Sequence, residues 1–492
     1  MAVTKLGVVY TPREVAGPIV ARALAPLIAG RSPDELLALR ICDFAIGEGA
    51  FLIEIVRVLA EAHGGRDAKR LVAAHCLFGA DVDPRSVATA RGVLEAYVGA
   101  ALPELEVRLR VGDALELAWT QFDAVIGNPP YIRQEKLAPA TKRALRGFES
   151  YDGVADLYVY FIELAHRLLR AGGRYALVVP RKWMTAAYAR PLRSFLARAR
   201  SVEAIDELDP RAFASVDAFP CVLTGTIGGD APERAGSGAP WHLDRAADAA
   251  VMAQLERLPK LGERFTPTRG VVTGCNRAFV IDAGTRARIL EHDPACGSLI
   301  RPFLKGRDVR RWTAARARYL LMMDRGVALP AAIGRHLAPL RAALEPGTGR
   351  KPGSYKWYEL QDPIGAIAKA VTPRLFYQDI QSAPVCSLDP TGLVPDTTVW
   401  ILPTDDRFVL AVLNSQLYHW YAKRRFPPAL NGAVRPKREY MQQLPLVEPA
   451  PDLRAKITAL VDAQLAAPTA QRDSELDALI CRAYNVSGSL IT

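Results

Sequence analysis

The 492-residue chain lacks the features that mark several common classes of protein. No stretch approaches the roughly 20 apolar residues that a membrane span needs, and the N-terminal residues lack the apolar core of a signal peptide. The seven cysteines form no C-x-x-C pair, which argues against a disulfide framework and against a zinc site. We therefore expect a protein of the reducing cytoplasm that needs neither a membrane nor a metal.

Two glycine-rich motifs that bind phosphate groups are also absent. The chain contains no G-x-x-x-x-G-K-[ST] loop. Residues 47–52 read GEGAFL and lack the third glycine of the dinucleotide motif G-x-G-x-x-G. A cofactor pocket in this chain therefore need not hold phosphates.

Charge is distributed unevenly along the chain. Residues 1–230 contain 28 Lys and Arg against 27 Asp and Glu, whereas residues 231–492 contain 35 against 25. The length predicts two or three domains, and the stretch rich in Gly, Ala and Pro at 228–241 is the best boundary. We assign a first domain to 1–230 and a second to 231–492. The basic second domain indicates a polyanionic partner, with a merely well-solvated surface as the alternative.

The first domain alternates apolar runs of strand length with helical patterns. The strand-like runs are 39–45, 76–83, 122–127, 173–180 and 220–227. The helical patterns lie at 51–64, 84–99, 155–170 and 190–200. Such alternation predicts βαβ units and an α/β domain with a mostly parallel sheet. Binding loops are then expected at the carboxyl ends of the strands. The second domain is irregular until two amphipathic helices near 452–466 and 473–484.

Three carboxylates each follow an apolar run in this first domain. Asp43 opens DFAIGEGAF, in which Gly47 and Gly49 allow a tight turn and close approach of a ligand. Asp81 suits the hydroxyls of a ribose, and Asp113 could accept a hydrogen bond from an adenine amino group. Each alone is more often a cap or a solvated turn. Together they predict an adenosine pocket, and without a phosphate loop S-adenosylmethionine fits it better than NAD or ATP.

Residues 128–131, Asn-Pro-Pro-Tyr, end the apolar run at 122–126. Two consecutive prolines cannot continue a helix or a central strand, so they form a rigid bend. The side-chain oxygen of Asn128 and the carbonyl of Pro129 can accept the two hydrogens of a planar amine, and Tyr131 offers an aromatic face. This combination places two rigid hydrogen-bond acceptors beside an aromatic ring.

In their order and spacing, these motifs resemble those of the DNA adenine-N6 methyltransferases of restriction–modification systems, and most closely the γ-group, Taq-like enzymes. The matching segments are YTPREVAGPIV (10–20), DFAIGEGAFL (43–52), GADVDP (79–84), GDAL (112–115), IGNPPY (126–131) and 155–184, with weaker similarity at 300–312, 412–421 and 475–487. The chain departs from the family's D-P-A-C-G-S-G pattern at Phe44, Ile46 and Glu48.

The resemblance implies a Rossmann-like, S-adenosylmethionine-dependent methyltransferase domain, then a mixed α/β target-recognition domain that ends in helices. It implies methyl transfer to N6 of an adenine flipped out of double-stranded DNA, in a restriction–modification system or by a solitary methylase. The implied catalytic residues are Asn128, Pro129, Pro130 and Tyr131, with Tyr131 and Phe213 stacking on the base. The implied cofactor contacts are Tyr10, Thr11, Pro12, Asp43, Ala45, Gly47, Gly49, Asp81, Asp113, Ala114 and Phe161.

Some of these assignments have a structural alternative. Phe161 and Phe213 could be ordinary core aromatics, and Tyr10, Thr11 and Pro12 could cap a helix. Basic and aromatic residues interleave in the second domain at 305–312, 349–358, 422–428 and 435–440. Lys and Arg there should mostly contact phosphates, with a minority reading base edges. The candidate DNA contacts are Lys305, Arg307, Arg310, Arg311, Lys423, Arg424 and Arg425.

Other functions remain open at this stage. Asn-Pro-Pro-Tyr also serves enzymes that methylate glutamine amides or RNA guanines, but these usually lack a large basic second domain. Cytosine-N4 enzymes more often have Ser or Thr in place of the asparagine. A silent DNA-binding subunit would not need the intact set of polar residues. A cognate restriction endonuclease is a candidate partner, and because the cofactor motif begins at residue 10 we expect no nuclease before it. The family implies a bacterial or archaeal cytoplasm.

Overall fold

The computed structural model describes residues 11–209, 219–229, 238–242, 246–314, 318–370 and 373–488. The chain divides into two compact units, Met1–Leu243 and Asp244–Thr492. The division falls just past the stretch at 228–241, where the composition changes. Among the described residues, no helix is both long and apolar enough to cross a lipid bilayer.

The first unit is built around a seven-stranded sheet. Its strands are β1 (Ile41–Asp43), β2 (Leu77–Asp81), β3 (Leu109–Val111), β4 (Phe122–Gly127), β5 (Leu169–Pro180), β6 (Val202–Glu207) and β7 (Pro220–Thr226). Their order across the sheet is β3-β2-β1-β4-β5-β7-β6. Strands β1 to β5 pair in parallel, whereas β7 runs antiparallel to both of its neighbours. The predicted α/β domain with a mostly parallel sheet is confirmed.

Nine helices of the described residues accompany this sheet. They are α1 (Arg13–Ile28), α2 (Pro33–Leu37), α3 (Ala50–His63), α4 (Ala68–Cys76), α5 (Pro84–Val98), α6 (Leu105–Arg108), α7 (Pro139–Ala144), α8 (Tyr158–Leu168) and α9 (Arg190–Ala199). Alternate residues of each strand point to opposite faces, and two separate hydrophobic clusters result. One cluster joins the sheet to α1, α3, α4 and α5, and the other joins it to α8 and α9.

Strand β4 explains why the sequence reads as an apolar run before the tetrapeptide. All six of its residues are buried, because helices cover both faces of a parallel sheet. Strand β5 begins at Leu169, earlier than the predicted 173, because Leu169 already pairs with Phe122 of β4. The pairing shifts register before Arg174, and Gly172 (φ +74°) lies in this irregular stretch. The three-residue strand β3 and the half-exposed strand β6 were not among the predicted runs.

The second unit contains two four-stranded sheets. Their strands are β8 (Thr268–Arg269), β9 (Val280–Ile281), β10 (Ile300–Leu304), β11 (Arg318–Leu321), β12 (Arg374–Gln378), β13 (Cys386–Asp389), β14 (Val394–Pro395) and β15 (Val399–Leu402). One sheet has the order β14-β10-β11-β9 and the other β13-β12-β15-β8. The pairs are antiparallel apart from β10 with β14.

Helices complete the mixed α/β architecture that was predicted for the second unit. They are α10 (Ala246–Glu256), α11 (Leu261–Arg264), α12 (Asn276–Phe279), α13 (Ala283–His292), α14 (Ala331–Leu337), α15 (Arg341–Leu344), α16 (Ala366–Lys369), α17 (Arg407–Leu413), α18 (Gln416–Arg425), α19 (Arg438–Met441), α20 (Pro451–Ala466) and α21 (Ala470–Ala483). The closing helices α20 and α21 pack in one hydrophobic cluster with α17, α18 and one face of the second sheet. The other face of that sheet packs with the first sheet.

Candidate active site

Four polar residues line one edge of the sheet in the first unit. Strands β3, β2, β1 and β4 are neighbours in this order, and at or just past their carboxyl ends stand Asp113, Asp81, Asp43 and Asn128. Residues that are far apart in the sequence therefore meet at one edge, because parallel strands end on the same side. Ligands of such sheets bind at this edge, where the strand order reverses. Here the reversal lies between β1 and β4.

The loop between β1 and α3 forms an open turn at this edge. Gly47 (φ +50°) and Gly49 (φ +87°) adopt left-handed backbone conformations that favour glycine. The Gly47 N–H donates a hydrogen bond to Asp81 Oδ2 at 3.0 Å, which fixes the loop to the end of β2. A Cβ atom at Gly47 would have no atom within 4 Å, so the loop leaves room for a ligand against its backbone.

The carboxyl group of Asp43 lies close to Gly127, the residue just before the Asn-Pro-Pro-Tyr tetrapeptide. Its side chain is 1% exposed, and Oδ1 accepts the Ala45 N–H at 3.0 Å. Oδ2 has no hydrogen-bond partner among the described residues. A Cβ atom at Gly127 would lie 2.4 Å from Asp43 Oδ1, so a glycine is needed immediately before Asn128.

Burial raises the pKa of the Asp43 carboxyl from 3.8 to about 7, with a smaller contribution from the charge of Asp81. The Ala45 N–H acts in the opposite direction and lowers this pKa. A buried carboxylate is unfavourable when it has no cationic partner and one of its oxygens accepts no hydrogen bond. The group is therefore suited to a ligand that brings positive charge or hydrogen-bond donors to this edge.

Asn128 and Tyr131 are each held by a hydrogen bond to another element. The Asn128 side-chain nitrogen donates to the Thr11 hydroxyl at 3.0 Å, which fixes the amide plane and turns its oxygen away from Thr11. The Tyr131 hydroxyl donates to the Val178 carbonyl on β5 at 3.1 Å. Its ring packs edge-on against Tyr158, with 6.1 Å between ring centroids. Burial raises the pKa of the Tyr131 phenol, so the group stays protonated and keeps donating.

The segment after Tyr131 is tied to the start of α8. The Leu157 N–H donates to the Ile132 carbonyl at 2.9 Å, and the Gln134 N–H donates to Asp156 Oδ1 at 3.4 Å. Lys182, which follows β5, places its amine 3.9 Å from Asp156 Oδ2. These contacts join the start of the segment 132–157 to its end.

The remaining described residues with a predicted cofactor role lie at or near this edge. Pro12 is the N-cap residue of α1. Asp113 Oδ1 accepts the Leu115 N–H at 3.0 Å, and the buried Ala114 accepts the Trp119 indole N–H at 2.8 Å. Phe161 is 4% exposed and packs edge-on against Phe44 at 5.0 Å, within the core cluster. Tyr10 and Phe213 lie outside the described residues.

Sequence reasoning missed three parts of the site. Gly127 directly precedes the tetrapeptide, but a larger residue is excluded there by Asp43, which is distant in sequence. The Val178 carbonyl is a backbone group and has no sequence signal. Asp156 lies at the start of the predicted helical segment 155–170, just before α8, and resembles an ordinary cap. In the described ranges, no group of three or more His, Cys, Asp or Glu is arranged to hold a metal ion.

The seven basic residues that were predicted to contact DNA have different surroundings in the second unit. Arg307, Arg310 and Lys423 are exposed and Lys305 is half-buried, so these four stay predictions. Arg311 and Arg424 instead form ion pairs with Asp473 and Asp248, at 2.7 and 2.8 Å. Arg425 is 7% exposed and pairs with Glu256 at 2.6 Å. These ion pairs give Arg311, Arg424 and Arg425 acidic partners inside the unit, and their contact with DNA stays a prediction.

Two family models match the chain. The Eco57I restriction-modification methylase model matches residues 101–213, which include the tetrapeptide. The TaqI-like C-terminal specificity domain model matches residues 301–446, inside the second unit. The two matched segments follow one another in the order of a restriction–modification methylase domain and a specificity domain. The family resemblance drawn from the motifs is thereby confirmed.

Curated proteins that are similar to this chain include Type II methyltransferases. M.XhoI from Xanthomonas vasicola is 31% identical over 44% of the chain, and M.PaeR7I from Pseudomonas aeruginosa is 26% identical over 66% of it. The matches span 41% and 64% of those proteins' own lengths.

Two solved structures share the fold of the chain. The Type IIL restriction-modification enzyme MmeI, solved in complex with DNA, matches 97% of the chain and 74% of its own, with a TM-score of 0.64 and 15% identity. The Type ISP enzyme LlaBIII, bound to DNA, matches 94% of the chain and 39% of its own, with a TM-score of 0.52 and 10% identity. At these identities the similarity concerns the fold alone.

Proposed function

We propose that this methylase transfers a methyl group from S-adenosylmethionine to N6 of an adenine flipped out of double-stranded DNA. The single observation that carries the proposal is the Asn128 amide, oriented by Thr11 at the sheet edge that also bears Asp43, Asp81 and Asp113. The family assignment supports methyl transfer in a restriction–modification context. The identity of the base and the flipping step belong to the proposal.

The edge carries groups that fit the parts of S-adenosylmethionine. Asp81 would bind the ribose hydroxyls, and Asp113 would accept from the adenine amino group. The buried Asp43 oxygen without a partner among the described residues would face the cationic methionine end, across the open backbone of Gly47. When bound, S-adenosylmethionine supplies an electrophilic methyl group on a positively charged sulfur. The chain's own residues need only hold and orient the two reactants.

Asn128 and Pro129 act on the amine that receives the methyl group. The lone pair of the adenine amine is delocalised into the ring, so the amine is a poor nucleophile. Hydrogen bonds from its two N–H groups to the Asn128 oxygen and the Pro129 carbonyl favour a tetrahedral nitrogen and stabilise its developing positive charge. Both acceptors are fixed before the substrate arrives, by the prolines and by Thr11, so little orientational entropy is lost on reaction.

Tyr131 holds the target base in the proposed complex. Its hydroxyl is bound to the Val178 carbonyl and its ring is half-buried, so one aromatic face can be presented at a fixed position. Stacking on such a ring is worth roughly 1–3 kcal/mol per base, which offsets part of the cost of flipping. Phe213 is the proposed second face.

The second unit is proposed to bind the DNA. It matches the TaqI-like specificity model, and residues 231–492 carry 35 Lys and Arg against 25 Asp and Glu. Such an excess of positive charge favours a polyanion, with affinity that falls steeply as salt rises. A cognate restriction endonuclease would act on the same sequence and is a proposed partner in the cell.

The test is transfer of labelled methyl groups from S-adenosylmethionine to duplex DNA, RNA and protein in parallel. We expect label in DNA only, recovered as N6-methyladenine after digestion. Asn128→Ala should lower the rate at least 100-fold while cofactor binding is retained, because one preorganised acceptor of this kind contributes about that much. The control is Gln121→Ala, an exposed amide just before the opposite end of β4. Label in N4-methylcytosine, RNA or protein alone would refute the proposal.

A further inference from the structure

A short surface segment of the second unit has an unusual construction. Residues 349–358, GRKPGSYKWY, contain three basic and three aromatic residues and no acidic one. We refer to this segment as the basic–aromatic loop. It lies between α15 and α16 and inside the range of the TaqI-like specificity model.

A buried arginine holds this loop. Arg350 is 6% exposed, and its guanidinium donates to five backbone carbonyls, which are Leu344 (2.7 Å), Thr273 (3.2 Å), Lys356 (3.4 Å), Trp357 (3.0 Å) and Glu359 (2.7 Å). Arginine has five N–H donors, and here one side chain near the start of the loop binds carbonyls at the end of the loop and on both sides of it. The backbone conformation of the loop is therefore set before any partner binds.

A second arginine reinforces the arrangement. Arg325 donates to the Leu360 and Gln361 carbonyls just after the loop. The guanidinium groups of Arg325 and Arg350 lie 5.0 and 4.6 Å from the centroid of the Tyr355 ring. The Tyr355 hydroxyl in turn donates to the Lys351 carbonyl. Tyr355 is thus an internal anchor of the loop.

Neighbouring glycines make space for this packing. A Cβ atom at Gly274, whose φ is +75°, would lie 2.7 Å from Arg350 Cδ. A Cβ atom at Gly349 would lie 2.4 Å from the Ala343 carbonyl carbon. The surrounding chain is therefore shaped to accept the buried arginine and the start of the loop.

The exposed part of the loop carries positive charge and no negative charge, and aromatic rings lie beside the lysines. Lys351 and Lys356 are exposed, and Trp357 and Tyr358 are half-buried. The two rings meet edge-on at 5.8 Å. The next acidic residue, Glu359, is 3% exposed and turned inward, where it accepts the Lys356 N–H at 2.9 Å. The loop therefore offers cationic groups beside aromatic faces on a fixed backbone.

We propose that the basic–aromatic loop is a contact surface for double-stranded DNA, in which Lys351 and Lys356 bind backbone phosphates and Trp357 contacts the adjacent groove. This inference rests on the proposed function and deepens it by naming the segment of the specificity domain that touches the DNA. Lysines bind phosphates without regard to sequence, whereas a ring that reaches the groove senses the bases. A fixed loop also loses little conformational entropy on binding.

The test measures the binding of a fluorescently labelled, mixed-sequence duplex over a range of salt concentrations. The K351Q, K356Q and double variants are compared with K456Q, an exposed lysine on α20. Each phosphate contact contributes about 0.9 to the slope of log affinity against log salt. We expect the double variant to lose close to two units of slope and to bind on the order of tenfold more weakly near 0.1 M salt. K456Q should match the wild type.

A second measurement needs no variant. Lysines are modified with an amine-reactive reagent with and without the duplex, and mass spectrometry reports each site. DNA should protect Lys351 and Lys356 and leave Lys456 reactive. W357A should shift the ratio of methylation between strong and weak genomic sites, because a groove contact is removed. If the wild type binds and methylates duplex DNA but the loop variants behave like K456Q and the loop lysines stay reactive, the loop inference is overturned alone. If the wild type neither binds nor methylates DNA, the proposed function fails as well.

Discussion

Replacing Asp43 by asparagine should make the stability of the cofactor-free protein less sensitive to pH. The carboxyl group has a pKa of about 7 in the folded protein against an ordinary value of 3.8. Between these two values the folded state binds more protons than the unfolded state, so stability falls as pH rises through this window. Above about pH 7 the destabilisation is complete and reaches roughly 4 kcal/mol, since each pKa unit corresponds to about 1.4 kcal/mol.

The asparagine side chain in the Asp43→Asn variant would not titrate, but it carries a cost of its own. Its oxygen can still accept the Ala45 N–H, whereas its NH₂ group replaces the Asp43 oxygen that has no partner among the described residues. A buried donor without an acceptor costs about 1–3 kcal/mol at every pH. The pH-dependent part therefore isolates the carboxylate. From pH 5 to pH 8 the stability difference between variant and wild type should change by about 2–3 kcal/mol in favour of the variant.

Thermal unfolding followed by circular dichroism at several pH values measures this difference. For a unit of this size the change corresponds to roughly 5–10 °C in Tm between pH 5 and pH 8. Glu116→Gln, which alters an exposed carboxylate near the same edge, should keep the pH dependence of the wild type. Saturating S-adenosylmethionine should stabilise the wild type more than Asp43→Asn. A gap in Tm between variant and wild type that stays constant from pH 5 to pH 8 would refute the reasoning.

Three further predictions concern the residues around the tetrapeptide. Thr11→Val removes the hydroxyl that orients Asn128 and should lower kcat about tenfold with unchanged cofactor Kd, whereas Thr11→Ser should restore the rate. Tyr131→Phe keeps the stacking ring and should lower methylation only several-fold. Tyr131→Ala should also weaken base flipping, because stacking is worth roughly 1–3 kcal/mol. A fluorescent base analogue at the target position measures the flipping. Gly127→Ala places a Cβ atom 2.4 Å from Asp43 Oδ1 and should reduce both Tm and cofactor affinity.

Each of these predictions has an outcome that contradicts it. Normal kcat in Thr11→Val would show that the hydroxyl does not orient the amide. Equal flipping by the alanine variant and the wild type would remove the stacking role of Tyr131. For the glycine, the matched control is Gly147→Ala, where a Cβ atom would have no atom within 4 Å. If both glycine variants unfold at the same temperature, the close approach of Gly127 to the carboxylate is not important for stability.

The sequence predicted the parts of the fold that leave a local signal. Strand β4 was recognisable because all six residues are buried and most of them are apolar. Strand β3 has three residues with one buried among them, which is too little pattern to separate from a loop. The sequence could place three carboxylates at one edge because each lies at or just past the end of a strand, and the geometry of a parallel sheet brings strand ends together.

The parts that could not be predicted depend on contacts distant in sequence. Lys423, Arg424 and Arg425 are adjacent on α18, and successive side chains of a helix point about 100° apart. Lys423 therefore faces solvent, while the next two meet Asp248 and Glu256, which lie 176 and 169 positions earlier in the chain. A local count of basic residues cannot distinguish these three environments. The same limitation hid the dependence of Gly127 on Asp43.

The way Arg350 holds the basic–aromatic loop has a consequence for how the protein could change over generations. Its donors bind carbonyl oxygens, which every amino acid possesses. The exposed side chains at positions 351, 354 and 356 can therefore be exchanged while the same backbone path is maintained. Natural mutation or a laboratory library could therefore vary the exposed side chains on an unchanged backbone. Selection would then act on DNA recognition, because the substitutions would not destabilise the loop.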